Sequence, residues 1–447
     1  MKDKSILIKN AGFVVTMNAK SQILKNHSLY LKGNKIVYIG KKEKRADTTV
    51  NARGMMVIPG LINCHHHMFQ CQLRGDRQLQ NQMIDRWINV VCRKAAKMSD
   101  REIYYSALAN MAELLLYGCT TTADMPYLFP KNTLFLPALI KAAADIGIRL
   151  HLYRGSISVG KRNGSLFPDE IVETSEEIGS ETESLIRKYH DASPFSLLRI
   201  GIAPCTIFTS SAEDFKLAAY LSRKYNVNMQ THLSESEFEN EYSLKKNKKR
   251  PLRFLNDLGW VGERASFAHG INLNREEIER LAATKTPIVH CPVSNARAPV
   301  GETGIAPVWA MIKNRVTVAV GVDGSAGNDS SNMLEELRWT RIMQGARKES
   351  TYLDPAVVLA MGTVNGAKLL NWENGIGSLE VGKAADIAIF NLNTVEYTGA
   401  NDPLTALLSC QATRADTVIV NGKIVVKDKK LVGFDEREIN NMLKIKT

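Results

Sequence analysis

Apolar residues in the middle of the chain fall into short runs, not long stretches. Eight stand out: Val57–His65, Gly118–Met125, Ile146–Ser156, Leu198–Cys205, Val227–Leu233, Ala265–Gly270, Pro287–Pro292 and Val316–Asp323. Between them, apolar positions recur at helical spacing over Glu102–Leu116, Leu136–Asp145, Glu173–His190, Asp214–Lys224, Arg275–Ala283 and Ser331–Gln344. Alternation of this kind predicts an α/β fold. A doubly wound sheet shares the local pattern, but eight runs match a (β/α)8 TIM-like barrel. Both ends of the chain read instead as short strands. Ile6–Met17, Ser28–Leu31 and Lys35–Ile39 are broken at Gly33-Asn34 and Gly40, while Ala385–Asn391 and Thr417–Val426 enclose the hairpin pair Asn421-Gly422. The expected organisation is therefore a small β-sandwich built from both termini, residues 1–56 plus 376–447, around a catalytic barrel over 57–375.

Composition narrows the class. The 447 residues are 44% hydrophobic and 23% charged, which argues for a packed globular chain and against disorder. No apolar run reaches the roughly 18 residues that span a bilayer. The basic start at Met1-Lys2 is followed by no long apolar core, so neither a signal peptide nor a membrane segment is expected. The net charge of +12 raises the question of nucleic acid. Its densest basic run, Lys245 to Arg250, has no interleaved aromatic residue and reads as a solvated face. The seven cysteines are scattered and form no CxxC, which fits a reducing cytoplasm better than a disulfide framework.

The chemistry lies at the ends of the runs. In a barrel of this kind catalytic residues gather at the C-terminal ends of the strands. Run one ends in His65-His66-His67, run five in His232 with Glu235 three residues on, run six in His269, run seven in His290 and run eight in Asp323, so six of the nine histidines are at run ends. In extended backbone, residues two apart point the same way, so His65 and His67 can meet one ion while His66 points elsewhere. A third histidine and a carboxylate from other strands complete an N/O donor set suited to zinc or ferrous iron.

These segments resemble the amidohydrolase superfamily, in its metal-dependent aminohydrolase branch of deaminases and chlorohydrolases. Pro59-Gly60-Leu61-Ile62-Asn63-Cys64-His65-His66-His67 is similar to the first-strand motif and Thr231-His232-Leu233-Ser234-Glu235 to the fifth. Phe267-Ala268-His269-Gly270, Val289-His290-Cys291-Pro292-Val293-Ser294-Asn295 and Gly321-Val322-Asp323-Gly324 are similar to the sixth, seventh and eighth, and Gly377–Asp386 to the tail segment. The resemblance covers essentially the whole chain. It implies that His65, His67, His232 and Asp323 hold one divalent metal, with zinc first and ferrous iron second. Glu235 would be the proton shuttle, His269 would lie beside the attacking water or the substrate, and Asp323 would also take a proton. Binuclear relatives carry a bridging lysine or glutamate near the fourth strand end, where this chain has Ile202-Ala203-Pro204-Cys205-Thr206; that departure favours a single metal.

The substrate is approached the same way. Gln70 stands where purine deaminases of this branch carry a base-reading glutamine. Tyr153-Arg154-Gly155-Ser156-Ile157-Ser158 and Thr120–Pro130, which contains Tyr127, are similar to segments of bacterial 8-oxoguanine deaminases. The resemblance implies deamination of 8-oxoguanine to urate and ammonia, with Gln70, Arg154 and Tyr127 binding the base. Guanine, isoguanine, a pterin, or a triazine in a chloro- or aminohydrolase reaction are the alternatives, because Met125 and Met68-Phe69 depart from the pattern. Bland readings stand beside these: solvent contact for Gln70, a rim ion pair for Arg154, packing for Tyr127 and Trp87. The expected partner is a small purine-like molecule, with neither nucleic acid nor membrane; a homo-oligomer is left open.

Overall fold

The computed structural model describes residues 4–130, 134–297 and 304–443. Eight parallel strands form one continuous sheet: Leu61–Asn63, Cys119–Asp124, Arg149–Ser156, Leu198–Pro204, Met229–Leu233, Ala265–His269, Ile288–His290 and Val318–Val320. Each pairs in parallel with the next in sequence. The seam between first and last is bridged by backbone bonds from Cys64 to Val320 (3.0 Å) and from Asp323 to His65 (3.1 Å). Gly321 allows this approach, since a Cβ there would lie 2.9 Å from the His65 nitrogen. The result is a nearly closed (β/α)8 barrel, as the alternation predicted.

Helices follow the strands, and their starts are written locally. Ser99 with Glu102, Thr174 with Glu177, Ser211 with Asp214 and Asn274 with Glu277 form reciprocal capping boxes. Each satisfies backbone N–H groups that the first helical turn leaves free. The helices bury their apolar stripes against the outer face of the barrel, so the central strands are buried on both faces.

The termini meet in a second sheet of nine strands. Its main path runs Lys430–Leu431, Lys423–Lys427, Thr417–Val420, Ile387–Asn391, Met55–Pro59, Ser5–Val15, Ile23–Lys32, Lys35–Gly40. Ile8, Val14, Leu29, Leu31, Ile36, Val57, Ile387, Ile389 and Ile419 form a core of its own between its faces. The first apolar run differs from expectation. It is two strands, not one, because the chain breaks at Gly60, where Thr120 sits 2.1 Å from the position of a Cβ. Residues up to Pro59 belong to the terminal sheet, and Leu61 begins the barrel. Among the described residues, no helix is long and apolar enough to cross a membrane.

Candidate active site

Four imidazoles converge at the C-terminal mouth of the barrel. In each, Nδ1 is engaged by an oxygen behind the ring: His65 by Gln230 Oε1 (2.7 Å), His67 by the Met125 carbonyl (2.7 Å), His232 by the Cys205 carbonyl (2.7 Å) and His269 by Asn295 Oδ1 (2.8 Å). A carbonyl only accepts, so His67 and His232 carry their proton on Nδ1. For His65, Gln230 donates its amide to the Cys64 carbonyl (3.1 Å) and thereby turns its oxygen toward the ring. Nε2 of each ring is thus the atom left with a lone pair, which is how metal-binding histidines are set up.

Those Nε2 atoms meet. His67 and His232 Nε2 are 3.2 Å apart, and His65 and His67 Nε2 lie 3.6 and 3.4 Å from Asp323 Oδ1. Two donor groups, His65–His232–His269 and His65–His67–Asp323, each have ligand atoms within 4.8 Å of one another. His65 and His269 Nε2 are buried without a hydrogen-bond partner among the described residues. Burial holds His65 and His232 below the ordinary imidazole value and His67 at about 4, so these rings are neutral at pH 7. Burial alone would raise the Asp323 carboxyl, but His67, His269, His65 and the Ser294 hydroxyl outweigh it and hold it well below the usual carboxylate range. Neutral imidazoles, an ionised carboxylate and orphaned lone pairs aimed at one point fit a divalent cation.

Backbone strain accompanies this geometry. Ser234, His269 and Asp323, all at strand ends of the site, adopt positive φ (48°, 74° and 65°). Non-glycine residues there cost on the order of 1–3 kcal/mol each and persist where surrounding structure enforces them. Asn295 holds His269 and Ser294 donates to Asp323 Oδ2, so one short helix, Pro292–Arg297, steadies both strained residues.

Glu235 stands at the rim of the cluster, its carboxylate 3.7 Å from His269 Nε2 and its side chain 30% exposed. Burial lowers the His269 pKa, but the Glu235 and Asp323 carboxylates more than offset it, so this ring alone among the four is raised. The backbone N–H of Glu235 donates to Glu239 Oε2 at 3.0 Å. Glu239 is buried and pushed up to about 8 by desolvation.

These groups line a narrow cavity of about 60 Å³. His67, His232, His269, Asp323, Glu235, Gln70 and Tyr127 are all on its wall, with Trp87. Gln70 gets there because His67 opens a 3₁₀ turn, Met68–Leu73, in which residues three apart eclipse. Its oxygen accepts from Ala326 N–H (3.1 Å) and its amide donates to the Tyr127 hydroxyl (3.0 Å). Burial keeps the Tyr127 phenol protonated. One amide N–H and one phenolic O–H therefore remain to be donated.

Arg154 is not brought to this cavity. Its guanidinium points outward from the third strand into the helix layer, donating to Glu181 (3.0 Å) and Glu173 (2.9 Å) with Phe129 against its face. The expected substrate contact is replaced by a structural ion pair. Arg154→Gln should accordingly lower the melting temperature by several degrees and leave KM within about twofold of the parent value, as thermal unfolding and steady-state kinetics would record. His66 also points away, to Ser331 Oγ at 3.0 Å. His290 is buried, held at about 3 by desolvation, and does not line the cavity. Asp124 is pushed up to about 7 by burial and accepts from Met68 N–H at 2.9 Å. Sequence reasoning gave no role to Gln230, Asn295, Ser294 or Glu239. It also missed the apolar walls Ile84, Ile88, Phe167 and Phe208.

Neutral imidazoles gathered round one point at the mouth of a parallel barrel are what a metal-dependent hydrolase requires, and fold and site assign the chain to that class. It belongs to the amidohydrolase family, whose model matches residues 56–425. The chain is similar to an 8-oxoguanine deaminase of Pseudomonas aeruginosa, 37% identical over 384 residues, covering 85% of this chain and 84% of that one. It is similar also to a hydroxydechloroatrazine ethylaminohydrolase of Pseudomonas sp. strain ADP, 34% identical over 413 residues, covering 90% and 84%. Among solved structures, an atrazine chlorohydrolase from Arthrobacter aurescens TC1 in complex with zinc superposes with a TM-score of 0.94 at 31% identity, covering 98% of this chain and 100% of that one.

Proposed function

We propose that the protein hydrolytically deaminates a small amino-substituted heterocycle, with 8-oxoguanine as the first substrate, giving urate and ammonia. The observation that carries this reading is the Glu235 carboxylate beside His269, at the edge of the His65–His67–His232–Asp323 donor set and inside a cavity that offers Gln70 and Tyr127 as donors. His65, His67, His232 and Asp323 would hold the ion, and zinc is the metal we assign, as in the similar chlorohydrolase. When bound, such an ion makes water a nucleophile at neutral pH by lowering its pKa from about 15.7 to about 7.

The residues then divide the work. Asp323, ionised and fixed by Ser294, accepts the proton released as a C–O bond forms at the amino-bearing ring carbon. Glu235 takes the water's other proton and delivers it to the ring nitrogen, and the proton held by Asp323 then passes by way of Glu235 to the departing amino group, so the C–N bond breaks and ammonia leaves. His269, its ring fixed by Asn295 and its Nε2 facing Glu235, would contact the attacking water or the substrate. Gln70 and Tyr127 donate to oxo groups or ring nitrogens, which suits a base rich in acceptors. The 37% identity to an 8-oxoguanine deaminase supports that choice.

A triazine reading has its own support in the apolar walls Ile84, Trp87, Ile88 and Phe208 and in the similarity to triazine hydrolases. One panel separates the two. Zinc-loaded protein is offered 8-oxoguanine, guanine, isoguanine, pterins, and amino-, alkylamino- and chlorotriazines, with ammonia, alkylamine and chloride measured separately. The expected result is ammonia from 8-oxoguanine with the highest kcat/KM. Alkylamine or chloride release alone selects the triazine reading, and no turnover anywhere removes both.

A further inference from the structure

The opposite end of the barrel carries a second cavity, of about 290 Å³, beneath the N-terminal ends of the third, fourth and fifth strands. Two buried guanidiniums lie in this floor, both against the indole of Trp372, at 5.5 Å for Arg149 and 4.4 Å for Arg199. They differ in one respect. Arg149 is paired with the buried carboxylate of Asp386 at 3.1 Å. Arg199 is 9% exposed and has no ion pair among the described residues. Its Nη groups donate to the carbonyls of Asn371 (2.6 Å), Ala192 and Ser193 (3.1 Å each), and its Nε–H has no partner. A charge removed from water and hydrogen-bonded only to neutral carbonyls, with no carboxylate paired to it, is unfavourable unless an opposite charge joins it.

The same wall holds two more unpartnered buried atoms, Trp372 Nε1 and His151 Nδ1. Arg264 is also on the lining, with one Nη bonded to the Asn226 carbonyl at 3.2 Å. The carboxylates acting on Arg199 are Asp191 and Glu373, both on exposed residues, with Glu373 at the edge of this cavity's lining and neither in an ion pair among the described residues. Burial, with Arg149 adding to it, lowers the Arg199 pKa to about 10, which leaves it charged at neutral pH.

We propose that this floor cavity binds a small oxyanion of the phosphate type, held between Arg199 Nε and Arg264 with the Trp372 indole N–H as a neutral donor. Guanidinium groups match tetrahedral oxyanions in geometry and charge. Because the barrel separates this cavity from the His65–Asp323 cluster, the anion is a stabilising or regulatory ligand and not the substrate. The cavity exceeds one inorganic phosphate, so the ion enters either free or as the head of a small phosphorylated molecule.

Isothermal titration of the metal-loaded full chain with inorganic phosphate, and separately with ribose 5-phosphate, tests this. Saturable binding at one site per chain is expected, weakened roughly tenfold or more in Arg264→Gln. Arg162→Gln, at a side chain 87% exposed elsewhere, should leave it unchanged. Arg199→Gln should lose binding; if that variant does not fold, Trp372→Phe, expected to weaken it, takes its place. Tighter binding of ribose 5-phosphate assigns the phosphorylated molecule, and equal binding assigns the free ion. No saturable heat with either probe overturns the proposal. So does binding that Arg264→Gln leaves intact, as phosphate on the metal would.

Discussion

Glu235→Gln is expected to lower kcat by roughly 10²–10⁴-fold while metal content and KM stay near the parent values. Glu235 is not among the residues that cluster around the ion position; among the described residues its ion-pair contact is with His269, at 3.7 Å. Its main chain is fixed independently, by the Glu239 carboxyl oxygen accepting its N–H. Glutamine therefore keeps shape and place and removes only the ability to carry a proton. The measurement is ammonia release on the best substrate, with zinc content determined on the same sample. Turnover within a few-fold of the parent would sink the proton-relay role, and loss of zinc would make Glu235 a ligand instead. Glu239→Leu gives a graded companion: with the tether gone, kcat should fall while zinc stays.

How much of this could be read from the sequence depends on where side chains report themselves. His65, His67, His232, His269 and Asp323 were legible because titratable residues recur at the ends of apolar runs and match family motifs there, although His66 and His290 share such positions and face away from the cavity. The barrel was legible because eight runs alternate with helical periodicity. Arg154 was misread for a definite reason. The third strand, Arg149–Ser156, alternates: Arg149, His151 and Tyr153 share one parity, and Leu150, Leu152 and Arg154 the other. Arg154 was assigned to the substrate from the resemblance alone, although its parity groups it with the two leucines, and packing puts it on the helix side with Glu173 and Glu181. The carbonyls of Met125 and Cys205, which set the tautomers of His67 and His232, are backbone atoms and have no side-chain signature. The apolar walls lie on loops and on the helix Ile84–Ala95, where Ile84, Trp87 and Ile88 look like ordinary core residues. Gly60 was visible as a glycine, yet its use in dividing one run between two sheets depends on Thr120, sixty positions away in sequence.

Removing the metal should abolish turnover and also lower stability, and the two losses should separate in Asp323→Asn. In the folded chain His65, His67, His232, His269 and Asp323 are packed together, with the Nε2 atoms of His65 and His269 lacking a hydrogen-bond partner among the described residues. A ligand that binds only the folded state stabilises it by about 4 kcal/mol when present at a thousand times its dissociation constant. Chelation should therefore lower the melting temperature by several degrees, and added zinc should restore both melting temperature and activity. Asp323→Asn leaves the three neutral imidazoles but removes the one negative charge within 3.6 Å of His65 and His67 Nε2. It should weaken zinc binding and turnover together, and shrink the thermal shift produced by zinc. Glu235→Gln, by contrast, should keep that shift whole while turnover collapses. Thermal unfolding with and without zinc on the two variants thus distinguishes the residue that holds the ion from the residue that moves the proton. A full zinc-induced shift in Asp323→Asn would mean that the ion sits elsewhere than between the first, fifth and eighth strand ends.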